Sequence, residues 1–566
     1  MRDLFRSGSA AQFLLHGSVF DVVPHNGKLL SLPAFLEQAM FANYDVVLRY
    51  DRSRGVRATK GGEDWGDWLQ NALGREAATQ TLMREPGSAL ELIDRYLLRT
   101  LNLQALPGGT AGKPRRIAVI IEFAEFVVPR GDALQLGGPF AANTVKVLGW
   151  ANDPAIVQSN IVTVLLSEGL HDLNSLVVEN PHAAALHLPL PNDADMLDYV
   201  KTLSTTQFPE LLSKCDVPIE TLAQRLTGLS RVGARTAIAL ALGNDKRITS
   251  KWLGEIKKEL IERECQGLLD FVESPFTLDN VAGLDAVKVW LREDTELLKR
   301  GALRALPMGY LICGRIGTGK TFLVQCWAGE LGIPCVVFKN FRDRWVGATE
   351  SNLEKIFAIL RALGQVVVFV DEADQAAGKR EGGDGDSGLS GRVYSMLAKE
   401  MSDTRNRGRI VWVFATSRPD LLEVDLKRQG RLDVHIPLFP PETAHERETL
   451  LLAIAKKLKF PLVAGDLPPF ADNVTLGGNE LEGVLVRALR IHELSEASPD
   501  AIKRPIKDIL ADLLREVRPN PHTRKLEYMD LVAVKECTDE RFLPDRFKGL
   551  SPEELEERID QLKRFV

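Results

Sequence analysis

The chain has 566 residues, 45% of them apolar and 26% charged, with a formal net charge of −6. That length predicts about three to five compact units of ordinary globular composition. The acidic balance argues against a protein whose main task is to coat nucleic acid. Six cysteines with no CxxC pair argue against a disulfide scaffold or a zinc framework.

At the N-terminus Arg2, Asp3 and Arg6 precede a short apolar patch, Phe13 to Leu15, broken by His16. That is a poor secretory signal. No apolar run approaches the roughly 18 residues of a membrane span, so a cytosolic (cytoplasmic) location is expected. Buried-strand runs follow at Tyr44–Tyr50, Ile117–Ile121 and Ile161–Leu166. Lys251–Leu269 reads as a charged helix, punctuated by Gly267 and the Ser274-Pro275 pair, which puts a boundary near residue 270. A second set of strand runs covers Gly309–Cys313, Pro334–Phe338, Val366–Val370 and Ile410–Ala415. Near-continuous apolar runs of this kind suit parallel strands buried on both faces. The Gly- and Asp-rich stretch Gly378–Gly391 reads as a loop. Helical patterns run from Ala444 to about Val517 and suggest a small helical domain. The RPNPH segment (Arg518–His522) breaks the chain, and a last helix starts at Ser551-Pro552-Glu553-Glu554 with a capping box.

The two halves look like a diverged duplication. The run VVVFVDEAD places Asp371 at a strand end, and IAVIIEFAE places Glu122 there. The same 46-residue interval separates Asp371 from Ser417 and Glu122 from Glu168. HIPLFPP from His435 and HLPLPN from His187 then follow at nearly matched distances.

The strongest chemical signal is GRIGTGKT, comprising Gly314, Arg315, Ile316, Gly317, Thr318, Gly319, Lys320 and Thr321, with Phe322 next. A strand precedes it and a helical run follows, the context that a phosphate-binding loop requires. Glycines let backbone N–H groups converge on phosphate oxygens, and the helix N-terminus adds partial positive charge. Lys320 can reach the β- and γ-phosphates of ATP, and the Thr321 hydroxyl can bind Mg²⁺. Asp371 and Glu372 stand at the exposed end of a buried strand, where open α/β sheets bind ligands. Asp371 can hold Mg²⁺ and Glu372 can act as general base toward water.

These motifs, with FTLDNVAGLDAVKVWL, DRWVGATESNLEKIF, VFATSRPD and LKRQGRLDVHIPL, occur in the order seen in AAA-family ATPases, which the chain resembles over roughly Phe276 to Leu514. NVAGLDAVKVWLR resembles bacterial and plastid members that carry a degenerate module before the active one. The resemblance implies an α/β fold of tandem AAA+ P-loop modules, each a parallel sheet with flanking helices and a small helical lid. The expected organisation is a degenerate AAA-like module over 1–200, its lid and linker over 201–269, an active core over 270–443, a lid over 444–517 and an extension over 518–566. It also implies that Val281, Ala282 and Gly283 contact adenine through backbone, with Gly478 and Asn479 nearby in the lid. Arg428 and Arg431 match paired arginines that reach a neighbouring subunit's nucleotide; such fingers contribute about 10³–10⁵ in rate in GTPase examples. Trp345, Val346 and Gly347 match a central-pore loop that grips a polypeptide. Ser417 stands where relatives usually have Asn to position the attacking water, so slow basal turnover is expected.

In the first half, YDVVLRYDRSRGVRAT (Tyr44–Thr59) lacks GKT, Phe123 replaces the catalytic acid, and Asn180 and Ala183 stand opposite the two arginines. Residues 1–265 therefore read as a nucleotide-free module for assembly or partner binding. The leading expectation is an ATP-hydrolysing ring of six that remodels or threads a protein client. An ATP-switched scaffold with slow hydrolysis is the second reading, and a nucleic-acid motor the third.

Overall fold

The computed structural model describes all residues except 75–82, 106–114, 132–137, 244–246, 250–254, 256, 257, 260, 263–268, 332, 339–348, 375–386, 470–475, 498–503, 519, 520, 565 and 566. The chain divides into two compact units. One is Met1–Ile261 with Gly347–Ala362; the other is Glu262–Val346 with Leu363–Val566.

The first unit contains β1 (Gln12–Gly17), a hairpin of β2 (Val22–His25) and β3 (Lys28–Ser31), β4 (Val46–Asp51), β5 (Gly55–Lys60), β6 (Ile117–Ile121), β7 (Ile161–Ser167) and β8 (Ala183–Leu188). Its main sheet has the order β5-β4-β6-β7-β1-β8, parallel except for the β4–β5 edge pair. Alternate residues feed two cores, because successive side chains point to opposite faces of a sheet. Leu14, Leu48, Val119 and Ile121 enter one, and Phe13, Leu15, Val47 and Ile120 the other. The Phe13–Leu15 patch, weighed in the sequence only as a leader, is therefore an internal strand. Residues 251–269 lie largely outside the described residues, and Leu269 itself begins a strand instead of ending a helix.

The second unit contains β9 (Leu269–Phe271), β10 (Gly309–Cys313), β11 (Cys335–Phe338), β12 (Val366–Val370), β13 (Ile410–Thr416) and β14 (Val434–Pro437), in the order β14-β10-β13-β12-β11-β9. All pairs are parallel except β11–β9. The five parallel strands β14-β10-β13-β12-β11 repeat the order β8-β1-β7-β6-β4 of the first unit, whereas the antiparallel edge strand differs: β5 follows β4 in the chain and β9 precedes β10. Helices α1 (Asp285–Lys299) and α2 (Lys320–Leu331) contribute to the core on one face, where Leu291 and Trp327 meet Tyr310, Ile312 and Val413. A separate cluster joins α3 (Ala444–Lys457), α4 (Gly478–Ala497) and α5 (Ile506–Glu516) through Leu451, Leu485 and Leu510. Two further helices, α6 (Thr523–Glu536) and α7 (Pro552–Lys563), close the chain. The Ser551–Glu554 capping box forms with both of its hydrogen bonds.

Candidate functional site

Strand β10 delivers the glycine loop to the start of α2. Gly314, Gly317 and Gly319 have φ of +142°, +86° and +86°, a region that side chains with a Cβ rarely enter. Space is tight as well: a Cβ on Gly314 would lie 2.2 Å from the Leu438 carbonyl oxygen. Inside the loop the Lys320 amine donates to the carbonyls of Gly314 (2.7 Å) and Arg315 (3.0 Å) and to the Ser417 hydroxyl (3.3 Å). Burial pulls the Lys320 pKa below its ordinary value, opposed by the field of Cys313 and of Asp371 and Asp374. The Thr318 hydroxyl donates to the Arg315 carbonyl, Ile316 is exposed, and half-buried Phe322 lies under the Lys457 amine of α3.

The Thr321 hydroxyl donates to Asp371 Oδ2 at 2.8 Å. Two residues that are 50 positions apart thus bring hard oxygen donors together at a strand end. That donor set fits Mg²⁺, which binds through one or two protein oxygens and keeps waters and substrate phosphates as its other ligands. Exposed Glu372 follows in left-handed backbone (φ +47°), its N–H on Asp371 Oδ1. Thr416, at the end of β13, donates to Asp374 at 2.5 Å, and Ser417 comes next.

On the lid side, the Gly478 N–H donates to the Gly317 carbonyl at 3.0 Å, and the Asn479 side chain lies against Gly317. Val281, Ala282 and Gly283 form the turn before α1; Val281 is buried and its carbonyl accepts from Lys288. Arg428 is exposed and pairs with Asp425 at 3.0 Å. Arg431 is buried, held by the carboxylate and the backbone carbonyl of the same Asp425. The structure therefore gives the two arginines different environments. Trp345, Val346 and Gly347 lie outside the described residues, as does most of Gly378–Gly391; residues 387–391 of that stretch open the helix Ser387–Met401.

Strand register shows what the first unit holds at the same points. Pairing aligns β1 with β10, so Gly17 (φ +95°) takes the place of Gly314. Its Cβ would lie 2.5 Å from the Leu188 carbonyl oxygen, matching the Gly314–Leu438 approach. The loop counterpart is thus GSVFD at Gly17–Asp21, whereas Tyr44–Thr59, where the sequence reading sought it, forms the β4–β5 hairpin. Neither segment holds GKT. Register also pairs His187 with the place of Pro437, two residues from the alignment on His435. No arginine occupies the shifted positions either, where Val178 and Pro181 stand. Phe123, at φ +55°, takes the place of Glu372. Glu122 is tied to Arg49 at 2.7 Å and lies 3.6 Å from Arg57.

Three family models match parts of the chain: "AAA+ chaperone, N-terminal Rossmann-like domain" over residues 1–189, "AAA+ chaperone, second helical domain" over 196–266, and "ATPase family associated with various cellular activities (AAA)" over 310–439. The chain belongs to the AAA+ ATPase family. Among similar proteins is the ATP-dependent zinc metalloprotease FtsH 2 of Symbiobacterium thermophilum, 34% identical over 44% of this chain and 46% of its own length. Another is the Cell division cycle protein 48 homolog of Archaeoglobus fulgidus, 32% identical over 43% of this chain and 35% of its own. A third is the chloroplastic ATP-dependent zinc metalloprotease FTSH 1 of Oryza sativa, at 31% over 42% and 36%. This AAA+ chain thus matches less than half the length of each of these relatives. Among the described residues no helix is long and apolar enough to cross a membrane, and no three His, Cys, Asp or Glu side chains converge as a metal site.

Sequence reasoning missed the partners of this site in α6. Tyr528 donates to Asp420 and lies under Arg418, next to Ser417. Asp530 faces Arg315. The readable signal was Tyr528–Val534, apolar around the helix apart from Asp530; a helix that is apolar all round is a buried one.

Proposed function

We propose that the chain hydrolyses ATP in its second unit and works in the cytoplasm as a ring, of six subunits, that remodels a polypeptide client. The observation that carries this reading is the Thr321–Asp371 contact at 2.8 Å with Glu372 exposed beside it, at the mouth of the glycine loop. In the proposed reaction a water oxygen attacks the γ-phosphorus, its proton passes to Glu372, and the bond to the β-phosphate bridging oxygen breaks to leave ADP. Lys320 gives up its loop carbonyls to meet the β- and γ-phosphates. Ser417, already in hydrogen-bond reach of Lys320, helps to hold the attacking water. Mg²⁺ held by Thr321 and Asp371 would neutralise charge on the phosphates.

Arg428 is exposed enough to reach a neighbouring subunit. Arg431 must leave Asp425 to do so, and otherwise shapes the segment that carries Arg428. A finger acting in trans requires head-to-tail contacts that close into a ring. Trp345, Val346 and Gly347 would grip the client. The first unit, with Glu122 engaged by two arginines, serves assembly or partner binding. An ATP-switched scaffold is the second reading, favoured by the short Ser417 side chain.

The test is Glu372→Gln with ATP and Mg²⁺, its mass in solution measured beside the nucleotide-free form. An ATP-dependent shift to about six subunits supports the ring. A monomer in every condition refutes it.

A further inference from the structure

The helix α6 follows the lid in sequence but packs on the ATP site. Seven consecutive residues, Tyr528 to Val534, are buried. Contacts from this helix reach the phosphate loop, the segment beyond Ser417 and the segment before Arg428. Asp530 Oδ2 lies 3.7 Å from the Arg315 guanidinium in the phosphate loop. The Ala533 carbonyl meets the Cys313 thiol one residue before Gly314. Tyr528 holds Arg418 and Asp420 beyond Ser417. Glu536 pairs with Lys427, the residue before Arg428, and its carbonyl meets buried His435 of β14 at 2.8 Å.

Within this set the Arg315–Asp530 pair stands out. Arg315 is part of the loop that must cradle phosphate, yet its side chain is 11% exposed and turns back toward α6. Its carbonyl, meanwhile, accepts from Lys320. Asp530 is 7% exposed; its other neighbours are Arg546 at 4.0 Å and, through Arg546, Glu442. A buried carboxylate facing a loop arginine fixes that arginine's direction, and a fixed loop loses less freedom when phosphate binds.

We propose that Asp530 is a positioning residue for nucleotide: acting through Arg315, it holds the phosphate loop in its binding shape and makes α6 a working part of the ATP site. This rests on the ATPase reading above. The test compares the full wild-type chain with Asp530→Asn, Asp530→Glu, Arg315→Met and the Arg315→Met/Asp530→Asn double variant, by steady-state hydrolysis with Mg²⁺ and by thermal melting. Asp530→Asn raises the KM for ATP by about fivefold or more with kcat within about twofold, without lowering the melting temperature. Arg315→Met gives a similar shift, the double variant adds nothing further, and Asp530→Glu restores most of the affinity.

A folded Asp530→Asn with wild-type KM overturns the proposal, as do additive effects in the double variant. If Asp530→Asn does not fold, an unchanged KM in Arg315→Met overturns it and a raised KM supports it. A wild-type chain that neither binds nor hydrolyses ATP overturns the ATPase reading, and this one with it. Wild-type hydrolysis with indifferent variants overturns this one alone.

Discussion

Adding one methyl group at equivalent points of the two units separates nucleotide chemistry from fold. Gly314→Ala places a Cβ 2.2 Å from the Leu438 carbonyl oxygen at φ +142°, and Gly17→Ala places one 2.5 Å from the Leu188 carbonyl oxygen at φ +95°. Each change combines a backbone strain of about 1–3 kcal/mol with loss of an adjoining hydrogen bond, worth about 0.5–1.5 kcal/mol. These bonds are Leu438 N–H to Cys313 at 2.7 Å and Ser18 N–H to Leu188 at 2.9 Å. The total is about 2–4 kcal/mol in either unit. At Gly314 the strain falls on the loop that cradles phosphate, so ATP affinity should drop by roughly 30- to 700-fold at 1.4 kcal/mol per decade. At Gly17 the melting temperature should fall while ATP affinity stays within about twofold of wild type. Titration with a fluorescent ATP analogue, alongside thermal melting, reads both effects. Equal loss of ATP binding in the two variants would refute the assignment of nucleotide to the second unit alone. Undiminished binding in a folded Gly314→Ala would refute the role of the loop.

Glu372→Gln should keep ATP binding and lower turnover by about 10²-fold or more, because an amide cannot take the water proton; single-turnover phosphate release checks it. Ser417→Asn should raise steady-state turnover, since a longer side chain beside Lys320 reaches the attacking water better, and an unchanged or lower rate counts against that role. Burial raises the Asp530 pKa from 3.8 to about 6, against the pull of Arg315 and Arg546. The folded form therefore holds this proton more tightly than the unfolded one, and the associated stability is present below the ordinary value and lost as pH rises through about 6. The shift corresponds to about 3 kcal/mol. Denaturant melts at pH 5 and 7.5 should show wild type losing about 1.4 kcal/mol relative to Asp530→Asn, the part of that total lost above pH 5; parallel pH dependence of the two would refute the assignment.

Much of the second unit was legible because its chemistry is local. GRIGTGKT carries its glycines and lysine within eight positions, and the VVVFV run announces the strand beneath Asp371. The first unit was harder. Phe13–Leu15 is a three-residue apolar patch ending in His16, and only pairing with β7 and β8 reveals it as the counterpart of β10. The matched intervals to Ser417 and Glu168 held, because β6–β7 and β12–β13 share one register; the His187 alignment slipped by two because a repeated pattern of His and Pro does not fix strand pairing. The role of α6 was invisible for a different reason. Asp530 is over 200 positions from Arg315, and nothing local to either residue names the other.

The paired left-handed residues bear on how strain at an active site is interpreted. Glu372 at φ +47° invites the view that its backbone is distorted for catalysis. Phe123 adopts φ +55° at the same strand end, with no acid to aim and no phosphate loop beside it. The unusual angle is therefore a property of how this sheet hands its third parallel strand to the following turn. In the proposed mechanism catalysis uses a ready-made corner, on which the second unit places a carboxylate and the first an aromatic ring.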